Sequence, residues 1–295
     1  MNDDEVPGFW RALGLPGLAD VHVHFLPPRM LRRVWAHFDS AGPLVGVEWP
    51  IRYRWSDAER VAHLDKLGVR AFTALAYAHR PDMAADLNAW TLAFARDTPG
   101  CLPSATFYPE PGVLDYVTEA LSAGARVFKL HLQVGAFDPL DPALTPVFGL
   151  LADAGTPIVI HAGHAPIGAQ YTGPEPFAAL LARHPRLTAI VAHMGSPNYA
   201  EFLDLALSYD RVALDTTMVF TPFFDQLVPF PSDELARLRD LGLAGKVLLG
   251  SDFPNIPYQY ADQLNGLINL DLGDEWLRAV CWGNFAGLFT MERAV

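Results

Sequence analysis

Basic residues are scarce in this 295-residue sequence: 21 Lys plus Arg stand against 33 Asp plus Glu, so the formal charge is −12. That deficit argues against a nucleic-acid partner, whose phosphates need a wide basic surface, and against docking on an anionic membrane. Cysteine is scarcer still. Cys101 and Cys281 lie far apart and neither belongs to a Cys-x-x-Cys pair, so two buried free thiols in a reducing compartment are expected rather than a disulfide framework. No run approaches the ~20 apolar residues of a membrane span, and the acidic start Met1-Asn2-Asp3-Asp4-Glu5 lacks the basic and apolar regions of a leader. A soluble cytoplasmic protein is therefore expected. What is abundant is core: 51% of residues are hydrophobic and 12% aromatic, which excludes a disordered chain. Against that background the 25 prolines read as punctuation between many short elements.

The elements follow a rhythm of one β-rich run and then one helical pattern. The β-like runs are 18–24, 69–75, 102–107, 126–132, 157–161, 187–192, 211–215 and 246–250. Ser56-Asp57-Ala58-Glu59 forms a capping box ahead of Val61, Leu64 and Leu67, with Gly68 as the stop. Pro81, Pro111, Pro142, Pro174, Pro197 and Pro231 open further helical patterns, and Gly124 and Gly155 close two of them. Proline in the first turn and glycine past the last is the expected asymmetry.

Successive β-runs are separated by roughly 33 residues, which suits βα units and a (β/α)8 TIM barrel in the α/β class. An open doubly wound sheet is the runner-up, but it favours a Gly-rich phosphate loop after the first strand, and here histidines stand in that place. The whole chain, 1–295, is expected to form one domain with 1–17 as an N-terminal extension. Long connections over 25–55 and 218–231 are candidate lids over the C-terminal face.

The candidate chemistry sits at the ends of the apolar runs. His22 and His24 are two apart on one run and share a face. Alone, such a pair is a weak signal. His161 closes the fifth run, His193 the sixth and Asp252 the eighth, each directly after apolar residues. In a barrel these ends meet at one rim, where four histidines and an aspartate suit a divalent ion with a position open for water.

These residues carry a resemblance. Asp20-x-His22-x-His24-x-x-Pro27, His161, His193-x-Gly195, Gly250-Ser251-Asp252-x-Pro254 and the closing Gly283-Asn284-x-x-x-Leu288-Phe289 resemble the amidohydrolase superfamily, in particular the amidohydrolase-related branch that includes aminocarboxymuconate-semialdehyde decarboxylase. The resemblance implies His22, His24 and His161 as metal ligands. It implies Asp252 as a further ligand or the group that takes a proton from water. It implies His193 as a second-metal ligand in binuclear members or, in the favoured mononuclear role, as the group that polarises the substrate or moves a proton. Zinc is the expected ion with manganese as the alternative, and one ion is favoured over two. A two-metal site calls for a bridging carboxylate or a carbamylated lysine; Lys129 on the fourth run is the residue in that place, and a plain interior lysine that binds an acid or a substrate carboxylate is the favoured reading.

His131 on the same strand face, His164 three residues past His161, Phe223 in the apolar loop after the seventh run and Trp55 in the first long loop are candidate substrate contacts. The loop aromatics suit an apolar or aromatic substrate, or equally a homodimer interface. The expected reaction is hydrolysis of an amide, lactone or related carbonyl of a small molecule. Metal-dependent, non-oxidative decarboxylation of an unsaturated or aromatic acid is the alternative, and a metal-containing binding protein without catalysis is the third reading.

Overall fold

The computed structural model describes residues 1–290 of the 295. All eight expected β-runs contain strand, though the hydrogen-bonded parts are short: β1 (Leu18–Asp20), β2 (Val69–Thr73), β3 (Cys101–Leu102), β4 (Ser104–Thr106), β5 (Val127–His131), β6 (Ile158–His161), β7 (Ala189–Val191), β8 (Val212–Asp215) and β9 (Val247–Leu248). The third run is split because Pro103, between β3 and β4, has no N–H to give to a ladder.

The chain divides into two compact units, residues 73–214 and residues 1–72 with 215 onward. In the first, β4 to β8 pair in sequence order, every pair parallel. Their residues are almost all buried, as expected of parallel strands covered on both faces. Between them run the helices Val113–Ser122, Thr145–Ala154, Pro174–Arg183 and Tyr199–Ser208, so each parallel step is a βα crossover. The register sets His131 beside His161 at the ends of β5 and β6.

In the second unit β1 pairs parallel with β2. The helix Asp57–Leu67 joins them and carries the expected capping box: the Ser56 hydroxyl accepts from Glu59 N–H and the Glu59 carboxylate accepts from Ser56 N–H. Its stop, Gly68, has φ +85, and a Cβ there would also run into the Trp10 indole, whose Nε1 donates to Leu67 O at 3.0 Å. Glycine is required at that position on both counts.

Two expected loops turn out to be partly helical. Within 25–55 the chain forms the helices Pro28–Asp39 and Gly42–Val45, and within 218–231 a short turn Pro222–Asp225. Pro28 fits the first helical position, and Leu31, Val34, Trp35 and Phe38 recur at helical spacing. The fourth run, read as 126–132, ends as strand at His131: Leu132–Gly135 form a helical turn, because His131 Nδ1 accepts from Val134 N–H and turns the chain.

The N-terminal segment is a built part of this unit. Asp3 Oδ2 accepts from the Tyr53 hydroxyl at 2.6 Å and faces His63 Nε2 at 3.1 Å, while Oδ1 accepts from Ala261 N–H at 2.9 Å. Burial acts to raise the Asp3 carboxyl, but the hydrogen bonds from His63, Tyr53 and Ala261 outweigh it and hold the group below its usual range. A carboxyl lowered in the folded state stabilises above its unfolded pKa, and that stabilisation is lost as pH falls through the folded value. Asp3→Asn is thus expected to lose about 1–3 kcal/mol in urea unfolding at neutral pH. The gap to the unmodified protein should close in acid below the carboxylate range, and a gap independent of pH would refute the assignment.

Both cysteines are free and buried, and burial pushes each thiol up to about 12, so neither is a nucleophile at neutral pH. No helix among the described residues is long and apolar enough to cross a membrane.

Candidate metal centre

Backbone pairing beyond the end of β1 is what aims the two histidines. Val21 N–H donates to Leu249 O, Asp252 N–H to His22 O, and His24 N–H to Phe253 O, at 2.8–2.9 Å. The extended alternation therefore persists through His24, and His22 and His24 emerge on the same side with ring centroids 5.1 Å apart. Both are buried, at 1% and 4% exposure. Gly250 permits this approach: a Cβ there would run into Thr217 Oγ1 and crowd His22 Cβ and the Asp215 carboxyl.

Asp252 completes the group from the segment after β9. Its backbone is left-handed, φ +68, a conformation that Asp tolerates better than most side chains. Oδ1 lies 2.8 Å from His24 Nε2 and 3.7 Å from His22 Nε2. Donor atoms of His22, His24 and Asp252 all fall within 4.8 Å of one another.

A second carboxylate stands behind the first histidine. Asp215 closes β8, is fully buried, and places Oδ2 2.9 Å from His22 Nδ1. A carboxylate accepts, so Nδ1 carries the proton and Nε2 presents its lone pair toward Asp252. Asp215 is itself held by Thr217 N–H donating to Oδ1 at 3.1 Å. Two imidazole nitrogens, one carboxylate oxygen and a carboxylate behind an imidazole make a donor set that fits a divalent ion such as zinc or manganese.

Asp20 supports the backbone beneath. It accepts from His22 N–H at 3.0 Å and from the Tyr260 hydroxyl at 2.8 Å, and burial raises its carboxyl to about 7 despite hydrogen bonds from Ser251, His22 and Tyr260.

The unit of residues 73–214 holds a separate set of imidazoles. His131 and His161 stack at 4.0 Å with their planes 10° apart, and His193 meets His161 edge-on at 4.9 Å. Tyr77 packs on His131 at 4.9 Å. His161 Nε2 is 2.9 Å from the Ala165 carbonyl, which only accepts, so Nε2 carries the proton and the lone pair is on Nδ1. His193 is positioned by a left-handed backbone, φ +52, as is Met194 after it. Lys129 is fully buried on β5, two residues before His131. His164 lies in the loop after β6 with Nδ1 2.7 Å from Thr172 Oγ1.

The two loop aromatics differ in setting. Phe223 packs edge-on against Trp49 at 4.9 Å and against Tyr258 at 5.9 Å. Trp55 is 39% exposed, packs on Tyr53 and His63, and lines a surface groove with Glu59, Ala62 and Lys66. Asp215 closes the seventh run, and only its contact with His22 ties it to the group of His22, His24 and Asp252.

Comparison with known proteins agrees with this architecture. The amidohydrolase family model matches residues 19–289. A search of curated proteins finds no match. Among solved structures, an uncharacterized TIM-barrel protein from Bordetella bronchiseptica is similar with a TM-score of 0.73 at 20% identity, over 92% of this chain and 99% of that one. A probable 2-pyrone-4,6-dicarboxylic acid hydrolase from Acinetobacter baumannii is similar with a TM-score of 0.61 at 14% identity, over 93% and 100%. L-Hydantoinase (dihydropyrimidinase) from Arthrobacter aurescens is similar with a TM-score of 0.59 at 17% identity, over 95% and 72%. The parallel βα succession and these neighbours make the fold a (β/α)8 TIM barrel, and the match across nearly the full length means that the chain belongs to the amidohydrolase family.

Proposed function

We propose that the protein is a metal-dependent hydrolase that uses water against an amide, lactone or related carbonyl of a small aromatic or apolar substrate. The observation that carries the reading is the His22–His24–Asp252 group with Asp215 orienting His22. His22 and His24 would hold the ion, with Asp252 as a further ligand or as the proton acceptor. When bound, a divalent ion supplies Lewis acidity, polarising a carbonyl and acidifying water.

The chain's own groups do the rest. Asp252 takes a proton from the attacking water and passes it to the leaving group, the work of a general base and then a general acid. Asp215 keeps the proton of His22 on Nδ1, away from the donor side. His193, in the role the family resemblance implies, stabilises the negative charge that develops on the carbonyl oxygen. His161, which the family resemblance implies as an additional ligand, carries its proton on Nε2. A structural neighbour named as a probable 2-pyrone-4,6-dicarboxylic acid hydrolase supports placing hydrolysis ahead of decarboxylation.

Elemental analysis of protein purified without chelator is expected to find about one zinc or manganese per chain. His22→Ala and His24→Ala should each lower that content. Metal well below stoichiometric, with thermal stability unmoved by added zinc or manganese, would refute the metal reading. Incubation with lactones, amides and aromatic acids then separates the reactions: acid release without CO2 is expected. CO2 release would establish the decarboxylase instead, and silence across the panel a binding protein.

A further inference from the structure

One carboxylate outside the metal-binding group reaches the backbone of all three of its members. Asp3 is a carboxylate at neutral pH and therefore only accepts: from the Tyr53 hydroxyl at 2.6 Å, from His63 Nε2 at 3.1 Å and from Ala261 N–H at 2.9 Å. These partners lie on the first long connection, the helix Asp57–Leu67 and the helix Tyr260–Asn269.

Two routes lead inward from there. In one, the rings that Asp3 holds enclose Phe253, which is fully buried. Tyr53 lies 4.8 Å from it, and His63 stacks on it at 6.1 Å with the planes 18° apart. Phe253 follows Asp252 in the chain, and its carbonyl accepts from His24 N–H at 2.8 Å. In the other, the Tyr53 oxygen accepts from Tyr260 N–H at 2.7 Å, the Tyr260 hydroxyl donates to Asp20 at 2.8 Å, and Asp20 accepts from His22 N–H at 3.0 Å. The Tyr53 hydroxyl serves both routes, donating to Asp3 while accepting from Tyr260. A satisfied buried network is rigid, and rigid backing of ligands raises affinity for the ion they hold.

We propose that Asp3 is a positioning residue for the metal centre, fixing the backbone of His22, His24 and Asp252 through Tyr53, His63, Phe253 and Tyr260. The inference rests on reading His22, His24 and Asp252 as metal ligands, and it extends control of that centre to the N-terminal segment.

The full-length protein and its variants would be stripped of metal and titrated with zinc against a chromogenic chelator at neutral pH. Asp3→Asn is expected to weaken zinc binding about three- to tenfold, the size of coupling carried through a packed network. Tyr53→Phe keeps the ring on Phe253 but deletes the shared hydroxyl. It should weaken zinc similarly, and the double variant should lose less than the product of the two. Asp4→Asn, which breaks the exposed pair with Lys66, should bind zinc as the unmodified protein does. A merely structural Asp3 would set stability equally with and without zinc, whereas here the Tm gained on adding zinc should itself shrink in Asp3→Asn. Coupling is reciprocal, so zinc should also slow hydrogen exchange at the Ala261 amide of the unmodified protein, a measurement that needs no variant. Zinc affinity unchanged in folded Asp3→Asn, or exchange at Ala261 unchanged by zinc, would overturn the proposal and leave the metal reading standing. Absence of zinc binding by the unmodified protein would overturn both.

Discussion

Asp252→Asn is expected to fold and to lose turnover by about 10³-fold, the usual size of a general acid–base contribution. The expectation comes from two properties of the position. The backbone is left-handed there, φ +68, and Asn tolerates that region as well as Asp does, so the turn survives. An amide oxygen can also occupy the place of the carboxylate Oδ1, now 2.8 Å from His24 Nε2, so the group keeps its shape. What the amide cannot do is take a proton from water. Asp252→Ala is the poorer experiment, because it adds backbone strain to the loss of the carboxylate. Turnover would be measured on the substrate found in the hydrolysis panel, with circular dichroism and metal content on the same sample. A rate within tenfold of the unmodified enzyme, with fold and metal retained, would remove Asp252 from the proton-transfer role.

Asp215→Ala is expected to weaken metal binding by about 10- to 100-fold, the range typical for removing a carboxylate behind a metal-binding histidine. In the structure the Asp215 carboxylate is the acceptor 2.9 Å from His22 Nδ1, and it fixes both the tautomer and the ring plane. Without it the imidazole can put its proton on Nε2, where the ion needs a lone pair. Asp215→Asn keeps a neutral acceptor and should fall between the two. Competition with a chromogenic chelator reads the affinity directly and requires no substrate. An affinity unchanged in Asp215→Ala would show that packing alone orients His22.

Both experiments turn on how far a site can be read before the chain is folded. The pair His22 and His24 was legible because period-two alternation is a local property, and it holds in the structure to the end of the pair, carried by hydrogen bonds to the segment 249–253. Asp252 was legible for the same reason, as the first carboxylate after an apolar run. The long first connection was misread as a loop: Pro27-Pro28 and the charged residues around it concealed a helix whose apolar positions, Leu31, Val34, Trp35 and Phe38, follow a helical period. The fourth run was read one residue too far because a side-chain acceptor, His131 Nδ1, ends the strand before the apolar pattern does.

The sequence by itself determined the order of strands and helices, the residues that close each strand, and the chemical types available for metal binding. These follow from periodicity, caps and composition, all of which act over a few residues. The tertiary structure alone decided that Asp215 serves His22 across 193 positions of chain and that the Asp252 turn is left-handed. Those outcomes depend on which strand ends become neighbours and on how space around them is filled. No local pattern encodes either, because each is the joint result of burial along the whole chain.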